Sequence, residues 1–221
     1  LANADIDKIY LEELYQHPNI QLIKNLPGES FINNKSINLK NMLCLNEDAI
    51  IFLYQGKFHS GRGVRFSIKC LRNINKGVLV LIGDGPMKKK YLQEAQKYDM
   101  QGRVFFVDAI PYEKLALFST NADIGLSLIQ PISKSYEHAL PNKLFEYAVS
   151  GVPVICSNLK AMRDMVATHN SGIAIDYNNE NEFINAYEKI SNYYDSYVLN
   201  STQKEKLLWN KNNNLCEIIN E

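Results

Sequence analysis

Five short, mostly continuous apolar runs constrain this chain more than any other feature. They are AIIFLY at 49–54, VLVLI at 78–82, VFFV at 104–107, IGLSL at 124–128 and VPVIC at 152–156. Unbroken runs suit strands covered on both faces, because a half-solvated strand alternates apolar with polar. Helix-period segments fill the gaps. Val64, Ile68, Leu71 and Ile74 share one helical face, and 87–98 carries Tyr91, Leu92 and Ala95 as its apolar positions. Further helices are expected over 112–120, 143–150 and 160–168. Strands alternating with helices predict an α/β fold: a parallel sheet with helices on both faces and right-handed crossovers. No repeat of solenoid length interrupts this pattern.

The flanks are less regular. Residues 7–15 have apolar positions at helical spacing, His17-Pro18-Asn19 breaks them, and 20–24 reads as a short strand. Residues 25–46, rich in Asn and Ser around Pro27-Gly28, read as an irregular connection with one helical turn. Two more helices are expected over 180–194 and 201–219, the second weakened by the Asn run at 212–214. The chain opens at Leu1 in mid-pattern, which suggests a piece of something longer.

Composition narrows the function classes. Twenty-two in every hundred residues are charged, yet Lys plus Arg and Asp plus Glu balance at 24 each, so the net charge is zero. That balance argues against broad electrostatic binding to nucleic acid or to a membrane, while allowing a local cationic pocket. Cys44, Cys70, Cys156 and Cys216 lie far apart without metal-ligand or C-x-x-C spacing, as expected of incidental thiols in a reducing compartment. No apolar run is long enough to span a bilayer, and no signal peptide is visible.

Three polar turns follow apolar runs and would gather at one edge of a parallel sheet, where open α/β sheets bind ligands. In YQGKFHSGRG (54–63), Gly56, Gly61 and Gly63 surround Lys57, His59 and Arg62. Glycines admit a phosphate close to backbone N–H groups, a helix N-terminus adds positive potential, and cations supply charge-assisted bonds. A tight turn bearing solvated basic residues explains the same letters. GDGPMK (83–88) places Gly83 and Gly85 as in the dinucleotide pattern, but Lys88 stands where the third glycine belongs. A plain turn with Pro86 at the first helical position accounts for it equally well. In LPNKLFEYAVSGVPVICS (140–157), a helix bears Asn142, Lys143 and Glu146 and stops at Gly151. Glu146 could be a helix-dipole carboxylate paired with Lys143 and nothing more. Asp5-Ile6-Asp7 opens a surface helix, so a metal–nucleotide role is discounted.

The order of these pieces is specific: strand-G-K-x5-G, then IGDGP, then VFFVD, then ADIGLSL, then PNKLFEYAVSGVPVICS. Over residues 18 to 195 it resembles the C-terminal, donor-binding half of a GT-B glycosyltransferase, most closely glycosyltransferase family 4. The resemblance implies a Rossmann-like domain that holds a UDP- or GDP-sugar without a divalent metal. It implies that Lys57 and Arg62 grip the diphosphate beside Gly56, Gly63, Gly83 and Gly85, although the family more often has Arg first and Lys second. Loop 108–112, with Ile110, would cradle the base. The amides of Asn142, Lys143 and Leu144 would face the sugar phosphate, and Glu146 would hold the ribose.

Eight residues before Glu146 the family has a second Glu near the transferred sugar, where this chain has His138 beside Glu137; these two are the candidate catalytic residues. The resemblance further implies a partner domain that holds a glycan or lipid-linked acceptor. Residues 1–17 would end that domain, and 196–221 would pack back toward it. The setting expected is a cytoplasmic, retaining transferase of polysaccharide biosynthesis, at most peripheral to the membrane. A nucleotide-sugar 2-epimerase of the same architecture and a non-catalytic nucleotide-binding module are the rival readings.

Overall fold

The apolar runs become strands, and four of the five bury both faces, while VFFV at the sheet edge stays half-buried. The computed structural model describes residue 2, residues 4–32 and residues 37–209. Six parallel strands form one sheet: β1 (Ile50–Gln55), β2 (Gly77–Ile82), β3 (Val104–Val107), β4 (Ile124–Ser127), β5 (Val154–Ser157) and β6 (Gly172–Ile175). The sheet order is β3-β2-β1-β4-β5-β6. The chain builds outward from β1 through β2 to β3, then returns to place β4 on the other side of β1. That reversal opens a crevice at the C-terminal ends of β1 and β4.

Ten α-helices are described: α1 (Asp5–Tyr15), α2 (Leu39–Met42), α3 (Val64–Leu71), α4 (Lys88–Lys97), α5 (Tyr112–Ser119), α6 (Lys134–Glu137), α7 (Asn142–Ser150), α8 (Lys160–His169), α9 (Glu180–Asn192) and α10 (Ser201–Glu205). Because side chains alternate along a strand, β1 sends Ile51 and Leu53 into one core and Phe52 and Tyr54 into the other. The first core receives Ala116 of α5, Leu144 and Tyr147 of α7 and Met162 of α8. The second receives Ile68 of α3, Tyr91 of α4 and Phe183 of α9. The flanking segments join the first core through Ala4, Leu199, Leu207 and Leu208.

Several expectations need correction. Residues 20–24 make no strand; Leu22 forms an isolated bridge with Ala2. The last expected helix reaches only Ser201–Glu205, and residues 210–219 lie outside the described residues. Pro86 does not open its helix, which starts at Lys88. Leu92 stays exposed while Tyr91 and Ala95 turn inward. The edge strand β6 and the single-turn helix α6 were not anticipated.

One glycine sets how closely α7 approaches the sheet. A Cβ on Gly125 of β4 would lie 2.4 Å from the Tyr147 ring, so the missing side chain lets that ring lie flat on the strand. The Tyr147 hydroxyl then donates to the Leu53 carbonyl (2.9 Å) and accepts from the Gln55 amide (3.2 Å). This clamp brings the next residue back along the helix, Glu146, against the end of β1.

Candidate functional site at the sheet edge

The turns after β1 and β2 interlock through their backbones. Gly56 donates to the Ile82 carbonyl (2.9 Å) and Phe58 to the Asp84 carbonyl (2.8 Å). A Cβ on Gly83 would meet the Gly56 carbonyl oxygen at 2.0 Å, and Gly83 holds φ +147°. Its glycine is therefore required by turn-on-turn packing, whatever else binds there. Gly85 likewise lies against Phe58, and Gly63 lies against Leu128 at the head of α3.

Beside these turns opens a cleft of about 460 Å³, lined by Gly56, Lys57, Gly83, Gly85, Ile110 and Leu115 among others. Five of those six are residues singled out from the sequence. The lining is mostly apolar, with a few polar groups, as small-molecule sites are.

One cation of α7 reaches a residue that lines the cleft, Gly56. Lys143 lays its ammonium over the Tyr54 ring, 3.8 Å from the centroid, and a Cβ on Gly56 would meet its Nζ at 3.3 Å. The residue as a whole is half-buried. Burial, and next the Arg62 charge, bring the ammonium down to about 7, with Glu146 pulling the other way. Arg62 stacks over Tyr136, 4.7 Å from the centroid. Lys57 is exposed in the turn.

Glu146 is buried in the middle of α7. Burial raises its carboxyl above the usual range, while Gln55, Lys143 and Tyr112 favour the charged form. Gln55 donates its amide N–H to Glu146 Oε2, and the Gln55 oxygen accepts from Ser119 Oγ at 2.8 Å. Neither Gln55 nor Ser119 was anticipated as part of the site. A lone amide closing an otherwise apolar strand was the available signal.

Of the loop residues, Leu144 commits its amide to the Pro141 carbonyl (3.1 Å) and its side chain to the core. The amides of Asn142 and Lys143 remain at the head of α7, beyond reach of any carbonyl of that helix, and no side chain caps them.

Glu137 and His138 do not line the cleft. His138 is buried and seats α1 instead: its Nδ1 lies 3.2 Å from Asp7 Oδ1, and its ring meets Tyr10 edge-on. Glu137 pairs with Lys134 (2.7 Å) on the solvent side. Lys88, in the place of a third dinucleotide glycine, pairs with Asp108 (2.5 Å), the acid that pattern would have turned to a ribose. Among the described residues, no three His, Cys, Asp or Glu side chains gather as metal ligands, and no helix is long and apolar enough to cross a membrane.

The solved structures that resemble this chain have related architecture. A sucrose-phosphate synthase from Thermosynechococcus elongatus superposes with a TM-score of 0.76 at 21% identity, over 95% of this chain and 54% of that one. Anabaena Alr3699/HepE, solved in complex with UDP-glucose, gives 0.81 at 12% identity, over 99% and 62%. The glycosyltransferase WaaG, involved in lipopolysaccharide biosynthesis, gives 0.71 at 16%, over 93% and 56%. This chain thus spans between about half and two thirds of these proteins' lengths, and at such identities the likeness speaks to the fold alone. The sequence itself goes further, since residues 37–201 match the family described as glycosyl transferases group 1. With well over half its length matched, and with a Rossmann-like parallel sheet of the GT-B kind, this chain belongs to the group 1 glycosyl transferases.

Proposed function

We propose that this chain is the donor-binding half of a glycosyltransferase that takes a sugar from a nucleoside diphosphate and passes it to a glycan or lipid-linked acceptor held by a second half. One observation carries the reading: the Lys143 ammonium lies against Gly56, which lines a mostly apolar cleft at the switch point of the sheet, and is close enough to Arg62 and to the buried Glu146 carboxylate for both charges to act on it.

The chemistry follows from what leaves. Breaking the bond between the sugar's anomeric carbon and the diphosphate oxygen puts negative charge on the diphosphate. Fixed cations and helix N-termini stabilise that charge more in the transition state than in the ground state, which is what accelerates a reaction. Lys143, Arg62 and the free amides of α7 supply it here, with Lys57 reaching in from solvent and no divalent metal needed. Glu146 accepts from the ribose hydroxyls, and the backbone around Ile110 flanks the base. Uridine is the base to test first, because HepE binds UDP-glucose and is similar in fold; GDP is the alternative. His138 is assigned to seating α1, so the sugar end is held by the 139–143 loop backbone. The setting is a retaining, cytoplasmic enzyme of polysaccharide biosynthesis.

Calorimetry with excess chelator tests this: UDP or GDP binds this chain without metal. The chain alone transfers no sugar, because orienting the acceptor contributes roughly 7–11 kcal/mol and the acceptor site belongs to the other half. The longer protein releases sugar only when acceptor is present. Absolute dependence on Mg²⁺, or acceptor-independent conversion of the nucleotide-sugar, would overturn the reading.

A further inference from the structure

Gln55 is the one polar residue in the run Ile50–Gln55, and it is 2% exposed. A buried amide is costly unless its polar atoms find partners, and here they are Tyr147, Glu146 and Ser119. The Gln55 backbone N–H donates to the hydroxyl of Tyr147, the neighbour of Glu146 in α7. The side-chain amide donates to Glu146 Oε2. The side-chain oxygen accepts from Ser119 Oγ, which also lies 3.1 Å from the Leu115 carbonyl in its own helix, α5.

The Glu146 carboxylate sets which way the amide points. Ionised, it can only accept, so it takes the Gln55 NH₂ and leaves Oε1 for Ser119, whose single proton is shared between that oxygen and the Leu115 carbonyl. An amide turned the other way would set oxygen against oxygen and favour a protonated Glu146, which is a poorer acceptor for two hydroxyls.

We propose that Gln55 is the positioning residue of the ribose site: its carboxamide, braced by Ser119, fixes the direction of the Glu146 carboxylate and keeps that carboxylate an acceptor for the ribose hydroxyls. The proposal rests on the reading that Glu146 contacts the ribose. A purely structural Gln55 would affect folding stability and leave the pH dependence of ribose discrimination alone.

The experiment measures binding of UDP and of 2′-deoxy-UDP to wild type, Glu146→Gln, Gln55→Met and Ser119→Ala, from about pH 5 to about pH 8, a window that covers a raised carboxyl. Wild type prefers UDP and loses the preference as acid protonates Glu146; Glu146→Gln loses most of it at every pH. Gln55→Met reduces the preference about threefold to tenfold at neutral pH, as expected for one lost hydrogen bond, and moves the acid loss to higher pH. Ser119→Ala shifts it the same way by less, and decides the matter if Gln55→Met fails to fold. Should wild type and Glu146→Gln behave as stated while both other variants keep the wild-type preference and pH profile, the role of Gln55 is overturned and the ribose reading stands. Should wild type show no preference for UDP, both fall together.

Discussion

Lys143 stands with its ammonium 3.8 Å from the centre of the Tyr54 ring, pressed against the backbone of Gly56 where a side chain would have touched it. The aromatic face compensates part of the lost hydration, but burial and the Arg62 charge still lower the group from its ordinary 10.5 to about 7. Above about pH 7 the empty site therefore holds increasing amounts of neutral amine. A bound diphosphate restores the charge, so binding takes up a proton in the range above that pH. Affinity is highest below about pH 7 and falls as pH rises, because protonation then opposes binding. Calorimetry at about pH 8 in buffers of different ionisation enthalpy measures the uptake. Lys143→Arg abolishes it, since a guanidinium does not titrate. Binding enthalpy independent of buffer in wild type would contradict the prediction.

Arg62 contributes differently, as a permanent charge stacked on Tyr136 at 4.7 Å. Charged hydrogen bonds contribute roughly 1.5–3 kcal/mol each, so Arg62→Ala weakens UDP binding by about 10-fold to 100-fold. Lys57→Ala, at an exposed position, weakens it less. Titration of both variants reads the difference; equal affinities for Arg62→Ala and wild type would remove Arg62 from the site.

Gly125 governs the site from beneath. Its added Cβ in Gly125→Ala meets the fully buried Tyr147 ring at 2.4 Å, so the ring must shift within a packed core. Overpacking of this kind costs about 1–3 kcal/mol, a fall in melting midpoint of roughly 2–12 °C for a domain of this size. The displaced Tyr147 carries Glu146 with it, so ribose discrimination declines together with the midpoint. A variant that melts like wild type would show that the close approach is not needed.

His138 is expected to act on α1 and not on the donor. Replacing it with Ala removes the contacts with Asp7 and Tyr10. Backbone amides of 5–15 then exchange faster with solvent, while the ratio of UDP-glucose to UDP affinity stays as in wild type. A selective loss of UDP-glucose affinity would return His138 to the transferred sugar.

The central sheet was legible because its strands are mostly continuous apolar runs, and VFFV at 104–107 coincides with β3. The edge strand Gly172–Ile175 was not, since it is only four residues long, opens on a glycine and closely follows the left-handed Asn170. Gly56 and Gly83 could be assigned to one edge because each directly follows a strand, and Lys143 and Glu146 because they share the helix that leads into β5. Gln55 and Ser119 could not, since each looks like the plain end of its own element and their partnerships span 91 and 64 residues of sequence. His138 stands where motif spacing puts the second Glu, and spacing does not register its contacts with Asp7 and Tyr10 of α1.

A crystal structure of this chain with UDP and chelator bears most directly on the central claim that this sheet edge holds a nucleoside diphosphate. The expected result has the phosphate oxygens within hydrogen-bonding distance of Lys143, Arg62 and the amides at the head of α7. The ribose hydroxyls lie on Glu146, and the base lies in the cleft beside Ile110. UDP bound elsewhere on the molecule, or present at this edge only with a divalent metal bridging its phosphates, would contradict it.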